Sequence, residues 1–409
     1  NIHRRLRARP AGPTAGKRLI HNANAQFSRR SALLINESQS LTMQLKQIAR
    51  DALLKPLQAV SGIVERRHTL PILANVLIEP KDGALELTAT DLEMQITALS
   101  ECASKAGAAT TVSARKLHDL LRALPDDASL SVDISGSRMT VRAGRSRFNL
   151  QTLGAGDYPR ISPGQDKLQS LSLPQKALRA LFRLVEFSMA QQDIRYYLNG
   201  MLVVIDSGSL QAVATDGHRL SWASLAVDGD FTRQEVILPR KTVLELGKLL
   251  TDSDDPVSID VLASQVRFRF ANVELVSKVV DGKFPDYNRV IPVGHTKSIT
   301  LDRNVLLAAL QRAAILANEK FRGVRLVLGP DHLKIICSNA EQEEAEEELE
   351  VAYKGEGLDI GFNITYLLGV LQNLDSAEVA LAFGDANSSA LVTMPGRDDF
   401  KYVVMPMRI

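Results

Sequence analysis

The apolar residues of this chain follow a helical spacing in six segments. Leucines and other apolar side chains recur there every three or four residues, which predicts amphipathic helices. The segments are 49–64, 112–125, 174–188, 237–250, 302–316 and 361–374. Asp51 and Asp302 are expected to be N-caps, because their carboxylates can accept first-turn amide hydrogens.

Continuous apolar, β-branched stretches predict strands between these helices. The clearest are LPILANVLIE (70–79), YYLNGMLVVI (196–205) and FRGVRLVLG (321–329). Short polar stretches recur at a similar spacing: Thr90 of LTATDLEMQ and Thr215 of AVATDGHRL are 125 positions apart, and Ser338 of IICSNAEQE lies 123 beyond Thr215. A shared offset between several segments indicates an internal repeat.

The repeat predicts an α+β protein of three tandem domains, each built from a helix, strands, a second helix and further strands. We expect the domains at 43–167, 168–295 and 296–409. Residues 1–42 are rich in arginine and poor in acids, as transit peptides are. Because the first methionine is Met43 and the regular pattern starts there, a disordered or misassigned N-terminal extension is the favoured interpretation.

Charge is distributed unevenly along the chain. The whole sequence has a net charge of +2, but residues 1–42 hold eight Lys or Arg and one acid, which is +7 and leaves −5 for the rest. An acidic body does not hold DNA tightly by bulk electrostatics, so attachment to DNA would have to be weak, local or topological. The two cysteines lack metal-ligand spacing, and no apolar run approaches the roughly 20 residues of a transmembrane helix. We therefore expect no membrane partner and a cytoplasmic location.

The stretch ATDGHRL places Asp216 two positions before His218, a combination that suits acid-base chemistry. The corresponding acid of the first repeat, Asp91, has different neighbours, whereas an active site normally occurs once. A Thr-Asp pair also bonds the local backbone at turns. A structural turn is the favoured interpretation, and the role of His218 stays open.

Two further stretches allow a functional and a structural interpretation. The run Glu341–Glu350 contains seven glutamates, which are ligands for divalent cations, but it lacks the glycine or asparagine turn that shapes a cage. A charged edge strand is favoured, and we expect neither a metal nor another cofactor. The terminal YVVMPMRI (402–409) fits a closing strand and, equally, a methionine-rich surface that accepts several peptides.

Residues 43–409 resemble the beta subunit family of bacterial DNA polymerase III, the sliding clamps, along nearly their whole length. The resemblance is carried by LLKPLQAVSGIVERRHTLPIL, TDLEM, GRSRF, FSMAQQDIRYYLNGML, VATDGHRL, PRK, SKVVDGKFPDYNRVIP, RAAILANEKFRGVRL, EQEEAEE and YVVMPMRI. It implies three clamp domains with helices lining the inside and antiparallel sheets outside. It also implies a head-to-tail homodimer that closes into a six-domain ring around duplex DNA and has no catalytic activity.

The resemblance implies three sets of contact residues. The DNA-contact set is Arg67, Arg115, Gln192, Tyr196, Tyr197 and Lys241. The partner-peptide pocket, between the second and third domains, is Leu198, Thr215, Gly217, His218, Arg219, Leu220, Pro285, Arg289, Val290, Ser389, Val404, Met405, Pro406 and Met407. The dimer contact is Ile315 and Leu316, for which core packing is the other interpretation.

The implied partners are double-stranded DNA, a second copy of the chain, the catalytic subunit of DNA polymerase III, the clamp loader and other clamp-binding repair and replication proteins. Two other functions remain open at this stage. One is a metal-dependent nucleic-acid enzyme that uses Asp216, His218 and Glu341–Glu350. The other is a repeat scaffold that binds proteins only.

Overall fold

The computed structural model describes residues 42–65, 70–81, 83–102, 107–162, 164 and 166–408. Within these ranges the contacts define two compact units. The first unit comprises residues up to 89 together with 98–158, and the second comprises 90–97 together with the residues from 159 onward.

The described residues of the first unit contain two α-helices, α1 (Arg50–Ser61) and α2 (Ala114–Ala123), and antiparallel strands. The strands are β1 (Thr42–Ala49), β2 (Asn75–Lys81), β3 (Ala84–Thr90), β5 (Thr110–Ser113), β6 (Ser129–Ser135), β7 (Arg138–Ala143) and β8 (Ser146–Gly154), with β4 (Met94–Ser100) following β3 in the chain. Hydrogen-bonded neighbours run in the order β1-β6-β7-β8-β5-β2-β3.

The described residues of the second unit contain four α-helices and three sets of antiparallel strands. The helices are α3 (Gln175–Arg183), α4 (Arg240–Leu249), α5 (Arg303–Ala313) and α6 (Ile364–Asn373). The strands are β9 (Lys167–Pro174), β10 (Gly200–Asp206), β11 (Ser209–Thr215), β12 (Arg219–Ala226), β13 (Gln234–Pro239), β14 (Pro256–Leu262), β15 (Gln265–Phe270), β16 (Val273–Lys278), β17 (Lys297–Asp302), β18 (Gly323–Gly329), β19 (His332–Ser338), β20 (Glu344–Glu350), β21 (Leu358–Asn363), β22 (Glu378–Phe383), β23 (Ala390–Met394) and β24 (Arg397–Val404). Their orders are β16-β15-β14-β9, β13-β10-β11-β12-β24-β23-β22-β17 and β20-β19-β18-β21.

The first helix of each repeat is fastened to the end of the second by equivalent hydrogen bonds. Each first helix starts with a backbone N–H that reaches a carbonyl beyond the second helix: Arg50 to Ala128 at 3.0 Å, Gln175 to Asp255 at 2.9 Å and Arg303 to Ala377 at 2.9 Å. The side chains at these positions repeat the link. The guanidinium of Arg50 donates to the carbonyl of Leu124, that of Arg303 donates to the carbonyl of Leu371, and the Gln175 amide oxygen accepts from Thr251 N–H. The backbone bonds satisfy N–H groups at the starts of the first helices, and the two arginines satisfy carbonyls at the ends of the second helices; both kinds of group lack partners within their own helix.

The Thr-Asp pair has the predicted turn role in the first two repeats. Thr215 Oγ1 donates to the carbonyl of Arg219 at 2.6 Å, while Asp216 Oδ1 accepts the backbone N–H groups of His218 and Arg219. Thr90 and Asp91 make the corresponding bonds around Met94. The pair therefore closes the turn between two strands, and the structural interpretation of the repeated acid is confirmed.

The helix-cap prediction is right at one position and wrong at the other. Asp302 is the N-cap of α5 and accepts the N–H of Val305 at 2.9 Å. Asp51 is not a cap, because β1 ends at Ala49 and α1 begins directly at Arg50, which places Asp51 in the first turn. There its carboxylate accepts from the Arg50 guanidinium instead.

The last strand, β24, belongs to both the second and the third repeat. It pairs with β23 of its own repeat and, on its other edge, with β12 of the second repeat, where Arg219 is opposite Val404 and Leu220 is opposite Val403. The sequence predicts a closing strand or a peptide-accepting surface here, and neither expectation includes a pairing with the second repeat. The pairing with β12 makes one continuous eight-stranded sheet from two repeats.

Candidate functional site

An apolar cleft of about 180 Å³ lies beside the seam between β12 and β24. Its walls come from four places: the loop before β10, the ATDGHRL turn, the segment after β16 and the end of β24. The lining residues are Arg195, Leu198, Thr215, Gly217, Arg219, Leu220, Phe284, Pro285, Tyr287, Val290, Val403 and Met405. Leu198, Leu220, Phe284, Tyr287 and Val403 also belong to one buried core cluster, so the cleft is an opening onto the core of the second repeat.

The alternation of side chains along β24 determines which of its residues reach the cleft. Val403 and Met405 line the cleft, while Val404 between them is fully buried. Successive side chains of a strand point to opposite faces, so neighbouring positions cannot share one wall. The structure therefore places Val403 at the cleft where the resemblance implies Val404. Met405 is 41% exposed at the cleft, and its N–H donates to the carbonyl of His218 at 2.9 Å.

Arg219 holds the ATDGHRL turn against the third repeat. Its Nε donates to Asp216 Oδ2 at 3.0 Å and its Nη2 donates to the carbonyl of Phe187 at 2.6 Å. The guanidinium also lies over the ring of Tyr366, 4.7 Å from the centroid, which is cation–π geometry. With its polar groups engaged in this way, Arg219 presents a fixed wall to the cleft.

Arg195 lies across the opposite side of the same turn. Its Nη2 donates to the carbonyl of Asp216 at 3.2 Å and to Asp193 Oδ2 at 2.8 Å. A Cβ added to Gly217 would lie 2.8 Å from Arg195 Nη2 and 2.9 Å from Nη1, so the guanidinium packs directly on that glycine.

The hydrogen bond from the Arg195 side chain lowers the pKa of Asp193 to about 2, assisted by the backbone N–H of Arg195. An acid with a depressed pKa stabilises the folded state above its ordinary pKa of about 3.9, and that contribution is lost as the pH falls towards 2. The contact is therefore fully formed at neutral pH.

The other residues of the predicted pocket lie around the cleft and do not line it. His218 is exposed, and its ring stacks on Tyr366 with centroids 6.5 Å apart. Arg289 forms an ion pair with Asp286 at 3.0 Å, and the carbonyl of Ser389 lies 2.8 Å from His295 Nε2. Pro406 and Met407 follow Met405, and the N–H of Met407 donates to the carbonyl of Gly361.

Four lining residues are missing from the sequence prediction: Arg195, Phe284, Tyr287 and Val403. Arg195 occurs in the basic and aromatic stretch QQDIRYYLNG, where its neighbours suggest nucleic-acid contact. Phe284 directly precedes Pro285, which is in the predicted set, so the stretch KFPDYNRV contains the signal for Phe284 and Tyr287.

Three of the predicted DNA-contact residues lie in the loop that precedes β10. Gln192 has a left-handed backbone with φ of 56°. Tyr196 and Tyr197 are in a 3-10 turn, with ring centroids 5.8 Å apart in an edge-to-face arrangement. Tyr196 is 57% exposed, so its ring is available for stacking.

The remaining DNA-contact candidates are in different surroundings. Lys241, at the start of α4, pairs with the largely buried Asp91 at 2.5 Å, which offsets its charge. Arg115 is exposed on α2 in the first unit, 3.6 Å from Asp119. Arg67 lies outside the described residues.

The predicted dimer residues lie at the acidic edge of the third repeat. Ile315 and Leu316 form a short 3-10 turn after α5, and Ile315 is 77% exposed, so it is not a core residue. The turn packs near β20, the edge strand that contains most of the glutamate run. Lys334 on the neighbouring strand pairs with Glu346 and Glu348, so β20 is a charged edge, as its sequence predicts.

The geometry gives no support to a metal-dependent enzyme. The described residues contain no group of three or more His, Cys, Asp or Glu side chains placed to hold a metal ion. Asp216 accepts from backbone amides and Arg219, while the ring of His218 lies against Tyr366. The Asp216 carboxylate is therefore engaged in the turn, and the His218 ring is engaged by Tyr366. None of the helices in the described part of the chain has the length and apolarity needed to cross a bilayer.

The repeats and the antiparallel sheets define a repeat-built α+β protein with an apolar cleft beside the seam between β12 and β24. Comparison of the sequence with models of known protein families identifies the family to which this fold belongs. Residues 43–162, 172–286 and 288–408 match the models of the N-terminal, central and C-terminal domains of the DNA polymerase III beta subunit.

Curated relatives and solved structures agree with these matches. The beta sliding clamp of Pseudomonas putida is 48% identical to this chain over 364 residues, and that of Escherichia coli K12 is 45% identical over 363 residues. Each alignment covers 88% of this chain and 99% of the relative. The crystal structure of a Pseudomonas aeruginosa sliding clamp bound to griselimycin superposes with a TM-score of 0.86 at 48% identity, covering 90% of this chain and all of that one. A Caulobacter crescentus clamp has the same TM-score at 39% identity and also covers 90% of this chain and 100% of that one. The chain therefore belongs to the DNA polymerase III beta subunit family, the beta sliding clamps.

Proposed function

We propose that the chain closes with a second copy into a head-to-tail ring around duplex DNA and holds its partner proteins through the apolar cleft. Membership of the sliding-clamp family establishes the clamp function itself, with DNA and the replicative polymerase as partners in general terms. The proposal adds how the ring closes, where DNA and peptides bind and which proteins use the cleft. The proposed function requires no catalytic step, and we propose that the protein acts in the bacterial cytoplasm.

Charge on the helices supports weak contact with DNA phosphates. A groove of about 460 Å³ between α3 and α4 is lined by four cations, Lys176, Arg179, Arg183 and Lys248, and by two acids, Glu186 and Asp252. Cations near the sugar-phosphate backbone give sequence-independent attraction that still permits sliding. We assign Gln192, Tyr196 and Tyr197 to DNA contact with them, together with Arg67 and Arg115. Lys241 is the weakest member of that set because Asp91 already pairs with it.

Complementary strand edges support head-to-tail closure. On β20 the glutamates at 344, 346, 348 and 350 are exposed on one face, and this strand is the end of its sheet. In the first unit β8 pairs with β7 over residues 146–151, while β5 joins it only at 152–154. The exposed Arg145 precedes that half of β8, and the exposed Arg147 lies within it. We propose that β20 of one copy meets β8 of another, with Ile315 and Leu316 as the apolar part of the contact.

The single observation that carries the peptide site is the cleft itself, an apolar opening of about 180 Å³ with a flexible methionine at its rim. Ligand pockets are typically apolar with a few polar groups that fix orientation. Methionine adapts its shape, which suits a site that accepts several sequences. We propose that the polymerase catalytic subunit, the clamp loader and other replication and repair proteins bind here by short apolar peptides.

Retention on circular DNA tests encirclement. The protein is loaded onto nicked circular duplex with a clamp loader, isolated by gel filtration, and the circle is then cut with a restriction enzyme. We expect the protein to stay with the circle and to leave soon after the cut, because topology and not affinity holds it. Equal retention on circular and linear DNA would contradict the ring and would favour simple adhesion.

A further inference from the structure

The loop Asp193–Asn199 is held closed at its base by its own side chains. The N–H of Asp193 donates to the amide oxygen of Asn199 at 2.9 Å, and Asn199 Nδ2 donates back to the carbonyl of Asp193 at 2.8 Å. This reciprocal pair fixes the distance between the two ends of the loop. The residues between them include Arg195 and Leu198, which line the cleft, and Tyr196, which is exposed.

Inside the loop, the carboxylate of Asp193 binds Arg195 at three points. Oδ1 accepts from the Arg195 backbone N–H at 2.7 Å and from Nε at 3.0 Å, and Oδ2 accepts from Nη2 at 2.8 Å. A carboxylate that accepts from both Nε and Nη2 fixes the plane of the guanidinium, and not only its position. Asp193 itself is not among the residues that line the cleft.

The orientation that Asp193 imposes has a direct consequence for the cleft wall. The Arg195 guanidinium lies on Gly217 and donates to the carbonyl of Asp216, so it joins the loop to the ATDGHRL turn. Without the carboxylate, the long arginine side chain would gain rotamers, and immobilising such a side chain when a ligand binds costs affinity. The wall would then form only when the peptide arrives.

We propose that Asp193 is a positioning residue for the partner-peptide site: it holds the Arg195 guanidinium flat against Gly217, so that this wall of the cleft exists before a peptide binds. The inference rests on the proposed peptide-binding function of the cleft. It assigns a role to an acid that acts only through Arg195, and this makes it testable by a double-mutant cycle.

The full-length protein is titrated by fluorescence anisotropy into a fluorescein-labelled heptapeptide that carries leucine and phenylalanine side chains. The variants are Asp193→Ala, Asp193→Asn, Arg195→Ala and the double variant Asp193→Ala with Arg195→Ala. We expect Asp193→Ala to weaken peptide binding by up to roughly tenfold, the cost of immobilising one rotamer-rich side chain when the peptide binds. Asp193→Asn should lose less, because its amide oxygen can still accept from the Arg195 backbone and Nε. The double variant should bind as weakly as Arg195→Ala alone.

Two controls separate positioning from general damage to the fold. Ile194→Ala changes a side chain in the same loop that is 96% exposed and belongs to none of the contact sets, and it should keep the peptide affinity of the unmodified protein. The thermal unfolding midpoint of Asp193→Ala should stay within a few degrees of that of the unmodified protein.

Each outcome supports or overturns a specific claim. If Asp193→Ala weakens binding by the same factor with and without Arg195, or does not weaken it at all, the positioning role is wrong. If the unmodified protein does not bind the peptide, the peptide-binding function of the cleft is overturned and this inference with it. If Arg195→Ala alone has no effect, Arg195 is not part of the site, and the inference fails while the rest of the cleft stands.

Discussion

Gly217 is subject to two separate constraints at the cleft. Its φ of +90° lies in the region that L-residues with a side chain rarely adopt. In addition, the guanidinium of Arg195 occupies the space where a Cβ would be. The first constraint comes from the turn that Thr215 and Asp216 close, and the second comes from the wall of the cleft. A substitution therefore has one effect on stability and a different effect on binding.

Gly217→Ala tests both effects, with Gly208→Ala as the matched control. Gly208 has a similar φ of +74°, but no heavy atom lies within 4 Å of the place that an alanine methyl group would take there. We expect each variant to lose about 1 kcal/mol of unfolding free energy through backbone strain. Only Gly217→Ala should also lose peptide affinity, because its methyl group displaces Arg195. Denaturant unfolding and peptide titration measure the two quantities, and equal peptide affinities in both variants would contradict the contact with Arg195.

At the scale of elements, β24 decides whether the cleft exists. Its pairing with β12 brings Val403 and Met405 to the second repeat, and the residues that follow it are anchored through Met405 to His218 and through Met407 to Gly361. Val404 is completely buried and remains within the sheet. The cleft is therefore lined by Val403 within β24 and by Met405 just after it, while Val404 between them belongs to the sheet.

Removal of residues 405–409 should separate these two roles. The truncated chain keeps β24 to Val404 and loses Met405 from the cleft. We expect binding of the polymerase and the clamp loader to be abolished, while the dimer and most of the unfolding free energy remain. Co-migration on gel filtration measures binding of the polymerase and the clamp loader, and sedimentation velocity measures the dimer. The point variant Met405→Ala serves as a milder control, and unchanged partner binding in the truncated chain would contradict the assignment of the cleft.

The helices and the Thr-Asp turns can be predicted from the sequence more completely than the residues of the cleft. Leucine spacing marks the helices, and the Thr-Asp pair identifies the turn, because both depend on neighbours a few residues away. The β12–β24 pairing joins residues that are more than 170 positions apart, and no local pattern specifies it. Several residues of the pocket implied by the resemblance line this cleft, but the implied set has Val404 where strand alternation brings Val403. It also omits Arg195, whose position depends on the hydrogen bonds of Asp193.

For the whole molecule, the proposed ring explains why an acidic body works on DNA. With a net charge of −5 beyond residue 42, obtained from +2 for the chain and +7 for the first 42 residues, tight adhesion to a polyanion is unfavourable. A closed ring does not need adhesion, and tethering raises the effective concentration of the polymerase at its template. In the proposed ring, closure is the property on which the function depends, and we propose that it relies on the edge that contains Ile315 and Leu316.

Aspartate at both Ile315 and Leu316 should produce monomers. A charge buried without a partner in an apolar contact costs several kcal/mol, more than an interface of this kind tolerates. Sedimentation should show a species of about 44.8 kDa in place of the dimer. Val305→Asp, at another exposed apolar residue of the third repeat, is the control and should remain dimeric. Dimers in the double variant would refute the assignment of this turn to the contact.

The place of β24 in the chain has a consequence for biosynthesis. A ribosome makes β12 long before β24, so the second repeat emerges with one sheet edge unpaired and with its binding surface incomplete. Nascent chains fold largely from the N-terminal side as they are made. A chain whose translation stops early therefore lacks the strand that completes the cleft, and under the proposed function such incomplete products would not bind partner peptides there.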